Sequence, residues 1–162
     1  MIIFIEEKHI DQCFEENKGI YIGVSNDLLG TRDWIADSSM LIPPPDVVMH
    51  YLSDGNKARF REEYYQYLSD PRIMFFLGLR IYQADKEDVF FCYSSMEKDM
   101  GYPKMLRQFI IDNLDMPKDF VVKFKNYNPE DRYKLKAKTY NRLMEFLNET
   151  KKKANEALDV MS

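Results

Sequence analysis

The apolar and polar positions along the chain form short apolar runs separated by longer stretches with helical spacing. The apolar runs lie at residues 2–5, 20–25, 89–93 and 120–124, between charged or turn-forming residues. Runs of this length and β-branched or aromatic composition are typical of strands buried on both faces of a parallel sheet. The pattern therefore predicts four strands in a small, mainly parallel sheet.

The stretches between these runs carry apolar residues three or four positions apart, which indicates amphipathic helices. This spacing predicts helices over residues 7–17, 46–52, 56–68, 71–81, 103–114 and 129–158. In the last of these, apolar or small residues recur from Tyr133 to Leu158 in a heptad pattern with one charged break at Lys151. Such a helix either lies along its own domain, which we favour, or forms a homodimer, so both a monomer and a homodimer are open.

Alternation of strands and helices predicts an α/β fold, with the sheet flanked by helices and closed by a long C-terminal amphipathic helix. A length of 162 residues suits one domain, so we expect a single α/β domain over 1–162. Residues 118–162 form its basic strand and long closing helix. Residues 26–45 lack periodicity and end in three prolines, which predicts a long irregular loop of the kind that is often functional.

Composition narrows the class of protein. The chain is 45% hydrophobic and 31% charged, as in soluble globular domains, and no apolar run approaches the roughly 18–20 residues of a membrane span. The N-terminus lacks the basic start and longer apolar segment of a secretory signal. Two cysteines in different elements favour free thiols. We therefore expect a cytoplasmic protein without membrane association or a disulfide.

Motifs for catalysis and cofactor binding are missing from the sequence. There is no Walker loop, Gly-x-Gly-x-x-Gly motif, paired-cysteine zinc spacing or His-Glu-x-x-His, and His9 and His50 are the only histidines. Cys92 lies near the end of a strand, but its flanks Phe91 and Tyr93 favour burial over a nucleophilic role. We predict no metal and no cofactor, and catalytic residues and enzyme activity stay open.

Two polar segments follow predicted strands, at the carboxyl ends where open α/β sheets bind ligands. Ser94 and Ser95 follow the strand 89–93, and the loop after the strand 20–25 supplies the remaining candidates, which are Asn26, Arg32, Asp33 and Trp34. Arginine can clamp a phosphate or carboxylate, and tryptophan can stack on a ring. The alternative is structural: the serines cap a turn, Trp34 pins the loop to the core, and Arg32 pairs with Asp33 or Asp37.

Charge is unevenly distributed, because residues 118–153 contain 11 basic and 5 acidic side chains although the net charge of the chain is −4. The basic residues alternate with aromatic ones, which can stack on bases while lysines neutralise phosphates. The candidate nucleic-acid residues are Lys123, Lys125, Arg132, Lys134 and Lys138. We favour the alternative that this tail folds across the acidic remainder of its own chain.

Residues 34–111 resemble the YeaO-like family, a domain of unknown function in bacteria and phages. The resemblance rests on Phe60-Arg61-Glu62-Glu63-Tyr64 with Tyr67-Leu68, on the strand Phe90-Phe91-Cys92, and on Leu106 in the helix that follows. Many members carry Cys-His-Arg where this chain has Gly101-Tyr102-Pro103, so that site is not carried over. The resemblance implies a compact α/β fold and allows a phage origin, but it implies no activity.

Three functions remain open from the sequence. The favoured one is a non-catalytic binding protein that acts on a macromolecular partner, with a protein preferred over nucleic acid. The alternatives are a small-ligand or nucleotide-directed enzyme using the crevice at the strand ends, and a nucleic-acid binder using the basic C-terminal helix.

Overall fold

A computed structural model describes residues 1–95 and 100–161, with side chains as far as Leu158. Its strands are β1 (Ile2–Glu6), β2 (Ile20–Gly23), β3 (Ile35–Asp37), β4 (Val89–Tyr93) and β5 (Val121–Lys123). They form one sheet in the order β3-β2-β4-β1-β5, and every pair is parallel. The helices of the described residues are α1 (Ile10–Glu16), α2 (Pro45–Asp54), α3 (Lys57–Leu68), α4 (Pro71–Lys86), α5 (Tyr102–Asn113) and α6 (Ala137–Met161). The predicted α/β class, parallel sheet and long C-terminal helix are confirmed.

The chain divides into two compact units, each made of two segments. The sheet unit contains Met1–Ile42 and Gln83–Lys134, and the helical unit contains Pro43–Tyr82 and Leu135–Ser162. The sheet unit holds all five strands, whereas the helical unit holds α2, α3, α6 and most of α4. The single domain expected over 1–162 stays a prediction.

The centre of the sheet explains the uninterrupted apolar runs, because β1 and β4 are covered on both faces. Phe90 lies in register with Tyr21, and their rings stack with centroids 4.5 Å apart. On the opposite face Phe4 and Phe91, also in register, meet edge to face at 5.2 Å. Residues 2–5 and 89–92 are all buried, so no alternation with polar residues is required.

The order of the strands predicts a crevice between the carboxyl ends of β1 and β4. The β1-α1-β2 and β4-α5-β5 connections cross the sheet in opposite directions. Because such crossovers are right-handed, they put α1 and α5 on opposite faces, and the loops after two adjacent strands diverge. A divergence of this kind is the usual ligand position in open parallel sheets.

Among the differences from the sequence prediction, two have a clear physical reason. β3 lies inside residues 26–45, which were predicted to be irregular, because a three-residue edge strand with only Ile35 buried has too short a pattern to detect. The last helix begins at Ala137 instead of near 129. Asn128 accepts a hydrogen bond from the Glu130 N–H as predicted for a cap, but the turn it caps is a short 3-10 turn over 129–131.

In the helical unit, α6 packs against α4 on its own chain. A Cβ atom at Gly78 would lie 2.7 Å from Leu147 Cδ2, and the rings of Tyr82 and Tyr140 lie 6.3 Å apart. The buried positions of α6 are Leu143, Leu147, Thr150 and Ala154. This packing supports a helix that lies along its own chain, and the homodimer stays a prediction.

Candidate functional site

Ser94 belongs to a buried hydrogen-bonded latch that ties β2, β4 and α5 together. The Ser94 N–H donates to Ser25 Oγ at 3.0 Å, and that oxygen lies 3.1 Å from the hydroxyl of Tyr102. The Tyr102 hydroxyl donates to the Val24 carbonyl at 2.8 Å, so the hydroxyl of Ser25 donates to Tyr102. The Ser25 hydroxyl therefore accepts one hydrogen bond and donates another, so it holds the three elements together and is not available as a nucleophile.

The hydroxyls at the end of β4 face carboxylates. Ser95 Oγ donates to Glu6 Oε1 at 2.9 Å, and Ser94 Oγ lies 3.5 Å from Asp27 Oδ2. Asn26, the remaining candidate there, is exposed in the turn after β2. The negative charges of Glu6 and Asp27 oppose binding of an anion at this point of the crevice.

Arg32 and Trp34 contact α1. Arg32 Nε and Nη2 donate to the two carboxylate oxygens of Asp11 at 2.7 and 3.1 Å, so its partner is neither Asp33 nor Asp37. This hydrogen-bonded pairing holds the pKa of Asp11 below its ordinary value. The Trp34 ring stacks on Phe14 at 3.9 Å, while Asp33 is exposed. The contacts of Arg32 and Trp34 agree with the structural alternative, in which the loop is pinned.

Both cysteines are buried thiols. Cys92 is fully buried in β4, and burial raises its pKa far above the ordinary value. Burial also raises the pKa of Cys13, whose Sγ lies 3.4 Å from the Tyr21 hydroxyl. A thiol nucleophile needs the opposite shift, toward the thiolate.

We expect neither thiol of the folded protein to react with Ellman's reagent. Under the same conditions the unfolded chain should release two equivalents of the coloured thiolate product, because the sequence contains two cysteines. The matched control is Ser53→Cys, which places a thiol at an exposed position of α2 and should react at once. Rapid modification of Cys92 in the native protein, identified by peptide mass, would restore it as a candidate nucleophile.

Four basic side chains from α5, the last residue of β5 and the turn after it form a group that we name the cation cluster: Lys104, Arg107, Lys123 and Lys125. Partial desolvation, followed by repulsion from Lys125, Arg107 and Lys104, lowers the pKa of Lys123. Arg107 Nε donates to the carbonyl of Val121, which anchors α5 to β5. No member of the cluster forms an ion pair with a carboxylate in residues 1–95 and 100–161.

The cluster contains only part of the predicted nucleic-acid set. Arg132 instead binds the buried Asp88, with 2.9 Å between Arg132 Nε and the carboxylate, which is a contact between the basic tail and an acidic residue of the same chain. Lys134 is exposed in a segment without regular structure, and Lys138 is exposed on α6 of the helical unit. Lys104 and Arg107 were not among the predicted residues, because they precede β5 in the chain and come close to it only through the packing of α5.

An aromatic pair adjoins the cluster in sequence. Phe124, between Lys123 and Lys125, is half-buried, and its ring centroid lies 5.5 Å from that of the exposed His9. Phe124 also stacks at 6.5 Å on Tyr127, which holds the ring in place. Aromatic faces beside unpaired cations are the two components of surfaces that bind single-stranded nucleic acid.

Comparison with known proteins gives no match among protein families, curated proteins or solved structures. The resemblance to the YeaO-like family and a phage origin therefore stay predictions. Across the described part of the chain, no helix is long and apolar enough to cross a membrane. Within those same residues, no three His, Cys, Asp or Glu side chains are grouped as metal ligands.

Proposed function

We propose that the protein is a non-catalytic binding protein whose macromolecular partner is nucleic acid, bound through its phosphates at the cation cluster. The observation that carries this proposal is the unpaired positive charge of the cluster in a chain whose net charge is −4. Like charges held together raise the free energy of the folded protein, and phosphates would remove that repulsion. Ionisable groups with perturbed pKa values, such as Lys123, are concentrated at functional sites.

The position of the cluster supports the same function. Lys123 ends β5 and Lys104 lies in the first turn of α5, so both lie at the carboxyl edge of the parallel sheet. Among the residues that the structure describes, Arg107 donates a hydrogen bond from Nε alone, so its two terminal nitrogens can donate a pair of hydrogen bonds to one phosphate. The enzyme hypothesis receives less support, because Ser25, Ser94 and Cys92 are buried.

The test measures binding of a fluorescent 12-nucleotide single strand by anisotropy at 50 and 200 mM salt. Four phosphate contacts give a slope of about −2.8 for log K against log salt, and hence a roughly 50-fold loss of affinity over this range. Changing Lys104, Lys123 and Lys125 together to Gln should reduce the slope to about −0.7 and the loss to roughly 3-fold. Arg107 is kept in this variant because it anchors α5.

The matched control changes Lys18, Lys57 and Lys152 to Gln. These side chains are exposed, and none forms an ion pair among the described residues. The control has the same net charge as the cluster variant and should keep the steep salt slope. Equal binding by the two triple variants would contradict the proposal, as would binding of polyglutamate in preference to the oligonucleotide.

A further inference from the structure

A cleft of about 530 Å³ opens beside β5 in the sheet unit. Its lining includes Arg107, Lys118, Val122, Asn126 and Tyr133. The volume falls within the roughly 300–1,000 Å³ of small-molecule pockets. An apolar wall at Val122, an aromatic ring and several polar groups are the usual components of such a pocket.

Several polar groups in the cleft have no partner within the described residues. These are the hydroxyl of Tyr133, the side-chain amide of Asn126 and the ammonium of Lys118. Asp119 also lines the cleft, and its carboxylate forms no ion pair within 1–95 or 100–161. The set therefore offers donors and acceptors together, which suits a ligand with a mixed hydrogen-bonding edge better than a simple anion.

Tyr133 is held in a fixed position at this cleft. Its backbone N–H contacts the Met1 sulfur at 3.1 Å, and its ring lies 6.3 Å from that of Phe120 in an edge-to-face arrangement. The Phe120 ring is fully buried, whereas Tyr133 is half-buried. Because Tyr133 lines the cleft and is only half-buried, its aromatic ring is available for stacking on a planar ligand.

Arg107 belongs both to this cleft and to the cation cluster, which makes the two surfaces continuous. We propose that the cleft receives one unstacked base of single-stranded nucleic acid, with the ring against Tyr133 and the adjoining phosphate at Arg107. This inference rests on the proposed function and adds the form of the nucleic acid. Bases in a duplex are paired and stacked, so only a single strand presents one to a cleft of this kind.

The acidic and amide groups of the cleft suit the edge of a base. Asp119 supplies a carboxylate, which can accept a hydrogen bond from an exocyclic amino group of the base. The side-chain amide of Asn126 can both donate and accept. The ammonium of Lys118 can donate hydrogen bonds to a ring nitrogen or a carbonyl oxygen of the base. A protein binding phosphate alone would have no use for the carboxylate.

The experiment compares three labelled probes of 12 nucleotides: a single strand with bases, an abasic strand with the same phosphates, and a duplex. We expect the wild-type protein to bind the base-bearing strand about tenfold more tightly than the abasic one, the typical effect of one stacked base. Tyr133→Leu should abolish that preference and leave the affinity for the abasic strand unchanged. Asn126→Ala, at an exposed position, should reduce the preference severalfold without a change in melting temperature.

The control Tyr65→Leu removes a half-buried tyrosine of the helical unit and should keep the full preference. If the wild-type protein binds the base-bearing and abasic strands equally but loses both in the cluster variant, the base site is wrong and the proposed function stands. If no probe binds at 50 mM salt, both are wrong. A preference for bases that survives both Tyr133→Leu and Asn126→Ala would also overturn the base site.

Discussion

Replacing Arg132 with Met should lower the free energy of unfolding by about 2–4 kcal/mol, because it takes from a buried carboxylate the closer of its two basic partners. The other partner, the amino group of Met1, lies 3.4 Å from the carboxylate, and burial lowers its pKa to about 6. The side chain of Asp88 is only 9% exposed, and Arg132 Nε donates to it at 2.9 Å. Arg132 Nη2 also donates to the carbonyl of Ala84 at 2.7 Å. Methionine keeps much of the apolar contact of the arginine stem but satisfies neither oxygen.

The Tyr127 hydroxyl completes this arrangement by donating to the other Asp88 oxygen at 2.6 Å. Burial, together with this hydrogen bond to Asp88, raises the pKa of Tyr127 above its ordinary value, so the hydroxyl remains a donor at neutral pH. One hydroxyl cannot replace the guanidinium, because it supplies a single neutral hydrogen bond to an ionised group.

Urea denaturation followed by circular dichroism measures the change in unfolding free energy. The control Lys134→Met removes one positive charge from an exposed side chain two residues away and should change that free energy by no more than about 0.5 kcal/mol. In the background of Asp88→Asn, the effect of Arg132→Met should become much smaller, because the buried charge is gone. A change below 1 kcal/mol for Arg132→Met alone would show that the pair contributes no more than an exposed ion pair.

Replacing Gly19 with Ala should lower the free energy of unfolding by about 3 kcal/mol, because β2 begins where another chain segment lies too close for a Cβ atom. A Cβ atom at Gly19 would lie 2.5 Å from the Asp88 carbonyl oxygen and 2.9 Å from Phe90 Cε2. The carbonyl cannot move away freely, since it accepts the Ile20 N–H at 2.9 Å. The phenylalanine ring is fully buried and has no free space to enter.

Gly30→Ala in the same unit is the matched control for this substitution. Gly30 has φ of +77° and nothing within 4 Å of the added Cβ, so its cost is backbone strain alone, about 1 kcal/mol. The same urea titration compares the two variants with the wild type. Equal stabilities of Gly19→Ala and Gly30→Ala would mean that β2 shifts and relieves the contact with Asp88.

Local patterns were sufficient for the class of fold and for most of its elements. The apolar runs identified β1, β2, β4 and β5, because strands buried on both faces need no polar partner and stand out from their surroundings. Helical spacing identified the helices for a similar reason, since each must bury one stripe of its surface. β3 was missed because an edge strand of three residues leaves almost no periodic signal.

The candidate site depended on contacts between distant parts of the chain. The basic residues of 118–153 were visible as a group, but Arg132 was committed to Asp88 and was replaced in the cluster by Lys104 and Arg107 from α5. Trp34 and Arg32 were candidate ligand-binding residues, but in the structure they contact Phe14 and Asp11 of α1. Which segments form strands and helices, and which residues carry charge, follows from local chemistry and could be predicted from the sequence. Which charges are neutralised could be learned from the folded chain alone, because the partners of Arg32 and Arg132 lie more than 20 residues away along the sequence.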